Sequence, residues 1–418
     1  MTVRSTDPGP AGTPDAPRPP GVPAPGPAAA AISPAGSEPA GSEPAGSASA
    51  PGRRTAAGWV RTPKVAAGTP RPAGLRKRWL AAGVLAVLVA LVAGVSLGPV
   101  GLPPGSVAAE LLNLLPGVRL DSGLTEREIA IVTELRLPRV VLGLLVGGLL
   151  ALAGGCYQGV FRNPLADPYL LGVAAGAGLA VTAVITLGGV GAGGALTGMP
   201  VTIPLAAFVG SLGAVALTYL LGAAGGRDRS PATLILAGVA VSAFLAAGQT
   251  YLLQRHSDSI QQVYSWLLGR LGTAGWGDVR LILPYFVLTA VVVLLHRREL
   301  DVLSVGDDEA ASLGLHPQRS RYLLIAAASL GTAAAVSASG LIGFVGIIVP
   351  HTVRLLAGSS YRVILPLSML FGGAFLALTD VVARTAAAPA EIPIGVVTAL
   401  LGGPFFVLVL RTARRVFP

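Results

Sequence analysis

The run WLAAGVLAVLVALVAGVSL, residues 79–97, carries no charge over nineteen positions, and runs like it recur to the end of the chain. A helix of that length spans the roughly 30 Å hydrocarbon core of a bilayer, and inside lipid a helix satisfies every backbone hydrogen bond within its own segment. Ten such runs are marked, near 79–97, 139–160, 169–189, 201–223, 232–253, 281–295, 322–338, 341–357, 363–380 and 392–410. The expected fold is therefore an all-α polytopic membrane protein with about ten transmembrane helices. Composition agrees: 12% of residues are charged, about half the share of a soluble domain. The sixth run is short. The seventh and eighth nearly merge through SASGLIGFVG, where glycines break the helix; membrane proteins tolerate such a break where protein or an aqueous cavity covers the backbone.

Residues 1–75 differ in kind. They are rich in Pro, Ala, Gly and Ser, and PAGSEPAGSEPAGS repeats a five-residue unit. Too little apolar surface is available there to offset the entropy of ordering, so a disordered tail is expected, followed by a transmembrane domain over 76–418. The tail is too long for the n-region of an ordinary signal peptide, and the first run reads as a retained span. Arg76, Lys77 and Arg78 hold its start in the cytoplasm under the positive-inside rule. With ten spans, both termini are then cytoplasmic. The short cytoplasmic connections hold twelve arginines against eight in the longer external ones. The net charge of +10 thus sets orientation; no basic face with aromatic stacking partners points to nucleic acid.

Several chemistries are excluded. The only lysines are Lys64 and Lys77, neither in a phosphate-cradling Gly-rich loop, so the chain is not its own P-loop ATPase. His256, His296, His316 and His351 are scattered, Asp307, Asp308 and Glu309 lack the alternation of a calcium loop, and no metal site is expected. The single cysteine, Cys156, lies in an apolar run and reads as packing. The span interiors hold almost no ionisable groups, which weighs against an ion-coupled carrier or channel working alone, the alternative kept here. Asp380 and Arg384 come nearest, and their i,i+4 spacing suits an ion pair. No clustered nucleophile, base or metal set marks an intramembrane enzyme. Glycines and alanines in GLLVGGLLALAGG and LGVAAGAGLA have the small-xxx-small spacing of closely packed helices.

Between the sixth and seventh spans lies SVGDDEAASLGLHP, three acids in a row where charge is scarce. Ser304 and Asp307 have the spacing of a capping box, the acids suit a helix N-terminus, Gly314 can end the helix and Pro317 can start the next. In FRNPLADP, two prolines exclude a continuous helix while Asn163 and Asp167 can cap turns.

RLPRVVLGLLVGGLLALAGGCYQGVFRNPLADPYLLGVAAGAGLA, over 136–180, resembles the permease subunits of type II ABC importers for ferric siderophores, haem and cobalamin. LILAGVAVSAF, WLLGRLGTAGW, VGDDEAASLGL, SGLIGFVGIIVPHTVRLLAG and LPLSMLFGGAFLALTDVVARTAAAPAEIPIGVVTALLGGPFF are similar to that family in the same order, over about residues 80–415. The resemblance implies the ABC type II importer permease fold in a bacterial cell (inner) membrane. It implies two cytoplasmic ATP-binding cassette subunits, an external substrate-binding lipoprotein or periplasmic protein, and a second permease copy, identical or related. No cofactor is expected on this chain; ATP and Mg belong to the partner ATPase. The cargo it implies is first a ferric siderophore, then haem or cobalamin.

The resemblance also implies residue roles. A coupling loop at about 297–321, carrying Ser304, Gly306, Asp307, Asp308, Glu309, Ala310, Leu313 and Gly314, docks on the ATPase. Asn163, Pro164 and Leu165, with Ser230, Pro231 and Thr233, form a cytoplasmic gate. Arg136, Arg139 and Arg384 at the external mouth meet acidic residues of the binding protein, where an Arg–carboxylate pair gives bidentate geometry and steers association.

Overall fold

The computed structural model describes residues 75–98, 100–191, 202–224 and 231–413. The tail expected to be disordered and Ser230 lie outside these residues. The described chain is helical throughout. In order, the helices are α1 (Lys77–Ser96), α2 (Pro104–Asn113), α3 (Glu126–Ala130), α4 (Leu137–Val160), α5 (Val173–Gly191), α6 (Thr202–Ala224), α7 (Pro231–Arg255), α8 (Ile260–Leu267), α9 (Trp276–Leu295), α10 (Arg297–Leu303), α11 (Asp307–Ser312), α12 (Pro317–Ser339), α13 (Val345–Ala357), α14 (Tyr361–Thr385) and α15 (Ile394–Ala413). Ten of these fall on the ten apolar runs; among the described residues, seven are long and apolar enough to cross a membrane, and three shorter apolar helices complete the set. The chain is a multi-pass membrane protein.

The expected breaks occur where the residues require them. α12 stops at Ser339 because Gly340 takes φ +72, and α13 restarts after Phe344 at φ +69. The sixth span is longer than its apolar run. α9 begins at Trp276, where the Asp278 carboxylate accepts the Gly275 amide and caps the first turn.

Hydropathy does not reveal α2, α8 or the wide turn Ile131–Arg136 that joins α3 to α4. In that turn the Leu137 amide donates five residues back, to the Val132 carbonyl. Pro138 follows directly, and its ring lacks an amide proton and crowds the carbonyl four residues earlier. The widened turn relieves this, and Glu126–Val160 continues as one helical rod.

α4 is the centre of the bundle. Nearly all its side chains are buried, and α14, α12, α13 and α9 pack around it, with α1 on the outside of α14 and α5, α6 and α7 forming a second group against α12. The small residues make this possible. A Cβ on Gly154 would overlap the Gly346 carbonyl of α13, and one on Gly147 the Gly372 carbonyl of α14; Gly176 and Gly210 meet in the same way between α5 and α6. Backbones this close gain packing that lipid tails cannot supply.

Candidate functional site at the two ends of the bundle

Arg139 lies in the first turn of α4 and Arg162 just beyond its end, so about 32 Å of helix separates them. Each anchors a cluster of charge at one end of the bundle.

At the Arg162 end, Asp307 opens α11. Its carboxylate accepts Arg321 Nη2 at 2.9 and 3.2 Å and Nη1 at 3.3 Å, and it also pairs with Arg162. Arg162, at φ +49, donates Nε to the Leu303 carbonyl at 2.7 Å. One carboxylate thereby ties the ends of α4 and α10 to the start of α12. Partial burial pushes the Asp307 carboxyl up, but Arg321 and Arg162 outweigh it and hold it below the usual carboxylate range. Ala310 is fully buried in the core beneath α11, among residues that include Leu303 and Leu324.

The other face of α11 is open. Asp308 and Glu309 are exposed there, flanked by Val305 at 68% and Leu313 at 71% exposure. The helix ends as expected, with Gly314 at φ +83 and Pro317 in the first turn of α12. The capping box does not form: Ser304 terminates α10, donating to the Asp301 carbonyl at 2.6 Å, and the N-cap of α11 is Gly306 at φ +158. The chain has to turn sharply between two short helices, and the two residues of that turn, Val305 and Gly306, move Ser304 out of reach. The helix that Pro317 starts is the long α12.

The loop after α4 is built by the two turn formers. Asn163 Oδ1 accepts the Leu165 amide at 3.0 Å, and Asp167 Oδ1 accepts the Tyr169 amide at 2.7 Å. Burial pushes the Asp167 carboxyl up to about 6, against the opposing effect of that hydrogen bond. Asn163 and Pro164 are exposed and Leu165 is half-buried. Pro231 and Thr233 open α7, which the up-and-down order of the helices starts at this same end. Tyr169 was not singled out from the sequence. Its hydroxyl donates to the Ile342 carbonyl at 3.0 Å and accepts the Ile342 amide at 3.1 Å, which satisfies the backbone freed by the break between α12 and α13.

At the Arg139 end, five charged side chains converge. Arg139 donates to both oxygens of Asp380, at 2.8–3.2 Å, and to both oxygens of Glu391, at 2.9 and 3.0 Å. The expected i,i+4 contact of Asp380 with Arg384 is present at 3.4 Å, but it is not a hydrogen bond, and Asp380 is held by Arg139. Glu391, outside the spans, is half-exposed and held below the usual carboxylate range, chiefly by its hydrogen bonds to Arg139.

Arg136 and Arg384 turn inward. Arg136 donates to the carbonyls of Val95 at 2.8 Å, Ser96 at 3.1 Å and Val100, and Arg384 to that of Gly94. These include the last carbonyls of α1, which lack partners within the helix and attract cations. Both arginines are less than 8% exposed. In this geometry both arginines stand behind the surface that an external protein would meet, with Arg384 Nε left without a hydrogen bond. Among the described residues, the exposed arginines at this end are Arg119, Arg127, Arg255, Arg270 and Arg280. Among the described residues, no group of acids, histidines and cysteine is placed to hold a metal ion.

Comparison with known proteins gives a consistent result. The FecCD transport family matches over residues 85–412. The cobalamin import system permease protein BtuC of Halobacterium salinarum is 43% identical over 307 residues, covering 73% of this chain and 80% of that protein. The hemin transport system permease protein HmuU of Yersinia pestis is 38% identical over 289 residues, 66% of this chain and 82% of its own length. The Fe(3+) dicitrate transport system permease protein FecD of Escherichia coli is 37% identical over 285 residues, 68% and 86% respectively. Among solved structures, an inward-facing metal-chelate type ABC transporter superposes with a TM-score of 0.69 at 28% identity, covering 81% of this chain and 100% of that one.

Proposed function

The chain belongs to the FecCD transport family, a family of transport permease subunits, and on that premise we propose that it forms the membrane pathway of an ATP-driven importer of a large metal chelate. ATP and Mg are bound by two ABC ATPase subunits on the face that carries α11, which this reading takes as cytoplasmic. An external binding protein delivers the cargo at the Asp380 end, and a second permease copy completes the pathway. The chain needs no cofactor of its own. The membrane is the bacterial cell membrane, with both termini inside.

One observation carries this reading: α11 is fastened from behind and open in front. Asp307 and Ala310 anchor it to α4, α10 and α12, while Asp308, Glu309, Val305 and Leu313 point away from the bundle. A short helix fixed in this way transmits a push from a partner into two spans, α4 and α12, and into α10. An acidic rim with two exposed apolar side chains is a surface another protein can grip. Among the described residues, the buried charges of the spans gather at helix ends, and none forms the midplane relay of an ion-coupled carrier.

The gate is assigned to Asn163, Pro164 and Leu165 against Ser230, Pro231 and Thr233. Docking of the binding protein is assigned to the exposed arginines of the Asp380 end, with Arg139 holding the mouth together. The cargo is a ferric siderophore or another metal chelate of the haem and cobalamin class; the relatives named for cobalamin, hemin and ferric dicitrate support that class as a whole. The test is reconstituted uptake with the partner subunits, offering ferric siderophore, haem and cobalamin in turn. D308R/E309R should assemble poorly or hydrolyse ATP without uptake. Full coupling in that variant, or uptake by this chain alone without ATP, would overturn the assignment.

A further inference from the structure

At the Asp307 end, a bowl of about 1490 Å³ opens between the start of α1, the turn from α13 to α14, and α10. Arg76, Arg78 and Arg362 line it. Among the described residues Asp301 is the single acid of the lining, and it is already committed: its carboxylate accepts Ser360 Oγ at 2.7 Å and the Tyr361 amide at 2.6 Å, capping α14, and it lies 3.7 Å from Arg362 Nε. Among the described residues, three guanidinium groups therefore face this space against one carboxylate that is already engaged.

The bowl does not end at the membrane edge. It shares Trp79, Leu356 and Ala357 with a groove of about 290 Å³ that runs down the outside of the bundle between α1 and α13, floored by α14. The groove is apolar, with Ala86, Ile348 and Phe375 among its walls. Along α14 it extends from Leu367 to Leu378, about 17 Å at helical rise, which is close to half of a roughly 30 Å hydrocarbon core. Trp79 stands where bowl meets groove, with the Arg78 guanidinium 5.7 Å from its ring centre, the position tryptophan favours at a membrane interface.

We propose that this bowl and groove bind one anionic phospholipid of the leaflet on the Asp307 side, its phosphate among Arg76, Arg78 and Arg362 and an acyl chain along α14. The dimensions match a single leaflet, and the charge selects the headgroup. A zwitterionic lipid would bring an ammonium group for which the described lining offers only the engaged Asp301, whereas an anionic headgroup meets a lining of net positive charge. The site involves neither α11 nor the cluster at Asp380, and it does not depend on the cargo.

The test uses the full chain with its co-purifying subunits, held in nanodiscs of equal phosphatidylglycerol and phosphatidylcholine. The protein is then extracted in mild detergent, and retained lipid is quantified by mass spectrometry. Phosphatidylglycerol should be enriched, and R76Q, R78Q and R362Q should each reduce that enrichment by about fivefold. A86W should lower retention of both lipids by filling the groove. Arg76 and Arg78 are exposed ahead of the packed core, so those two variants keep the test readable even if R362Q perturbs α14. Equal retention of the two lipids by the unaltered protein, or undiminished enrichment in R76Q/R78Q, would overturn the proposal. Displacement of the lipid by millimolar glycerol phosphate would assign the bowl to a soluble anion instead. Phosphatidylglycerol enrichment that appears only after the ATPase subunits are stripped away would assign the bowl to a protein partner.

Discussion

Arg139 and Asp380 are 241 residues apart in the chain and meet in a two-pronged hydrogen-bonded pair, with Asp380 almost wholly buried. The pair joins the start of α4 to the end of α14, and Glu391 extends it to the loop before α15. Where two long helices pack along their whole length, this clasp fixes their register at one end.

Breaking one side of the clasp should be costly, because it leaves a charge without its counterpart. D380N and R139Q should each lower stability by about 3 kcal/mol, read as a fall in thermal midpoint in detergent. The double variant R139Q/D380N should be less destabilised than the sum of the two. Strict additivity would show that the pair contributes no coupling of its own.

Asp307 predicts a dependence on pH. Its carboxyl is held below the usual range in the folded protein, so its stabilising effect is complete above the unfolded value near 4 and is lost as pH falls through the lower folded value. D307N should therefore melt below the unaltered protein at pH 7, and the gap should close on acidification below about pH 4. A gap that stays constant into acid would remove the charge of Asp307 as its source.

Gly154 and Gly403 offer a matched pair of substitutions. The Cβ of G154A would overlap the Gly346 carbonyl, a backbone atom that no rotamer change can move, whereas a Cβ at Gly403 meets nothing within 4 Å. G154A should lose about 1–3 kcal/mol by overpacking, and G403A should be neutral or slightly stabilising in its helix. Equal thermal midpoints for the two variants would contradict the close approach of α4 and α13.

Tyr169 should show its role in Y169F, which removes the hydroxyl while keeping the ring. The amide and carbonyl of Ile342 then lose that partner, at about 1–3 kcal/mol, and amide exchange at Ile342 should accelerate. Unchanged protection there would mean that the break between α12 and α13 is held by other contacts.

Much of the architecture was legible before any contact was known. A bilayer demands long uncharged helices, so the runs themselves mark the spans, and Gly340, Gly314 and Pro317 mark their ends through local backbone preference. The turn chemistry of Asn163 and Asp167 was equally local. Ser304 was misread because its spacing to Asp307 suits a cap on a continuous chain, while the turn at Gly306 interrupts it. Hydropathy was silent on α2 and α8, which lie between the spans and carry no long apolar run.

The partners of the charged residues were not legible. Asp380 keeps its expected ion pair with Arg384 at 3.4 Å, yet its hydrogen bonds come from Arg139, and Arg136 and Arg384 lie buried against the end of α1. The Asp307 tie to Arg162 and Arg321, and the two hydrogen bonds between Tyr169 and Ile342, likewise join segments distant in the chain. Sequence pattern reports the solvent each segment must face and the backbone each residue allows, and both are local properties. Which charge satisfies which is decided by where helix ends come to rest against each other, and that depends on the packing of glycine-lined backbones along the full length of α4.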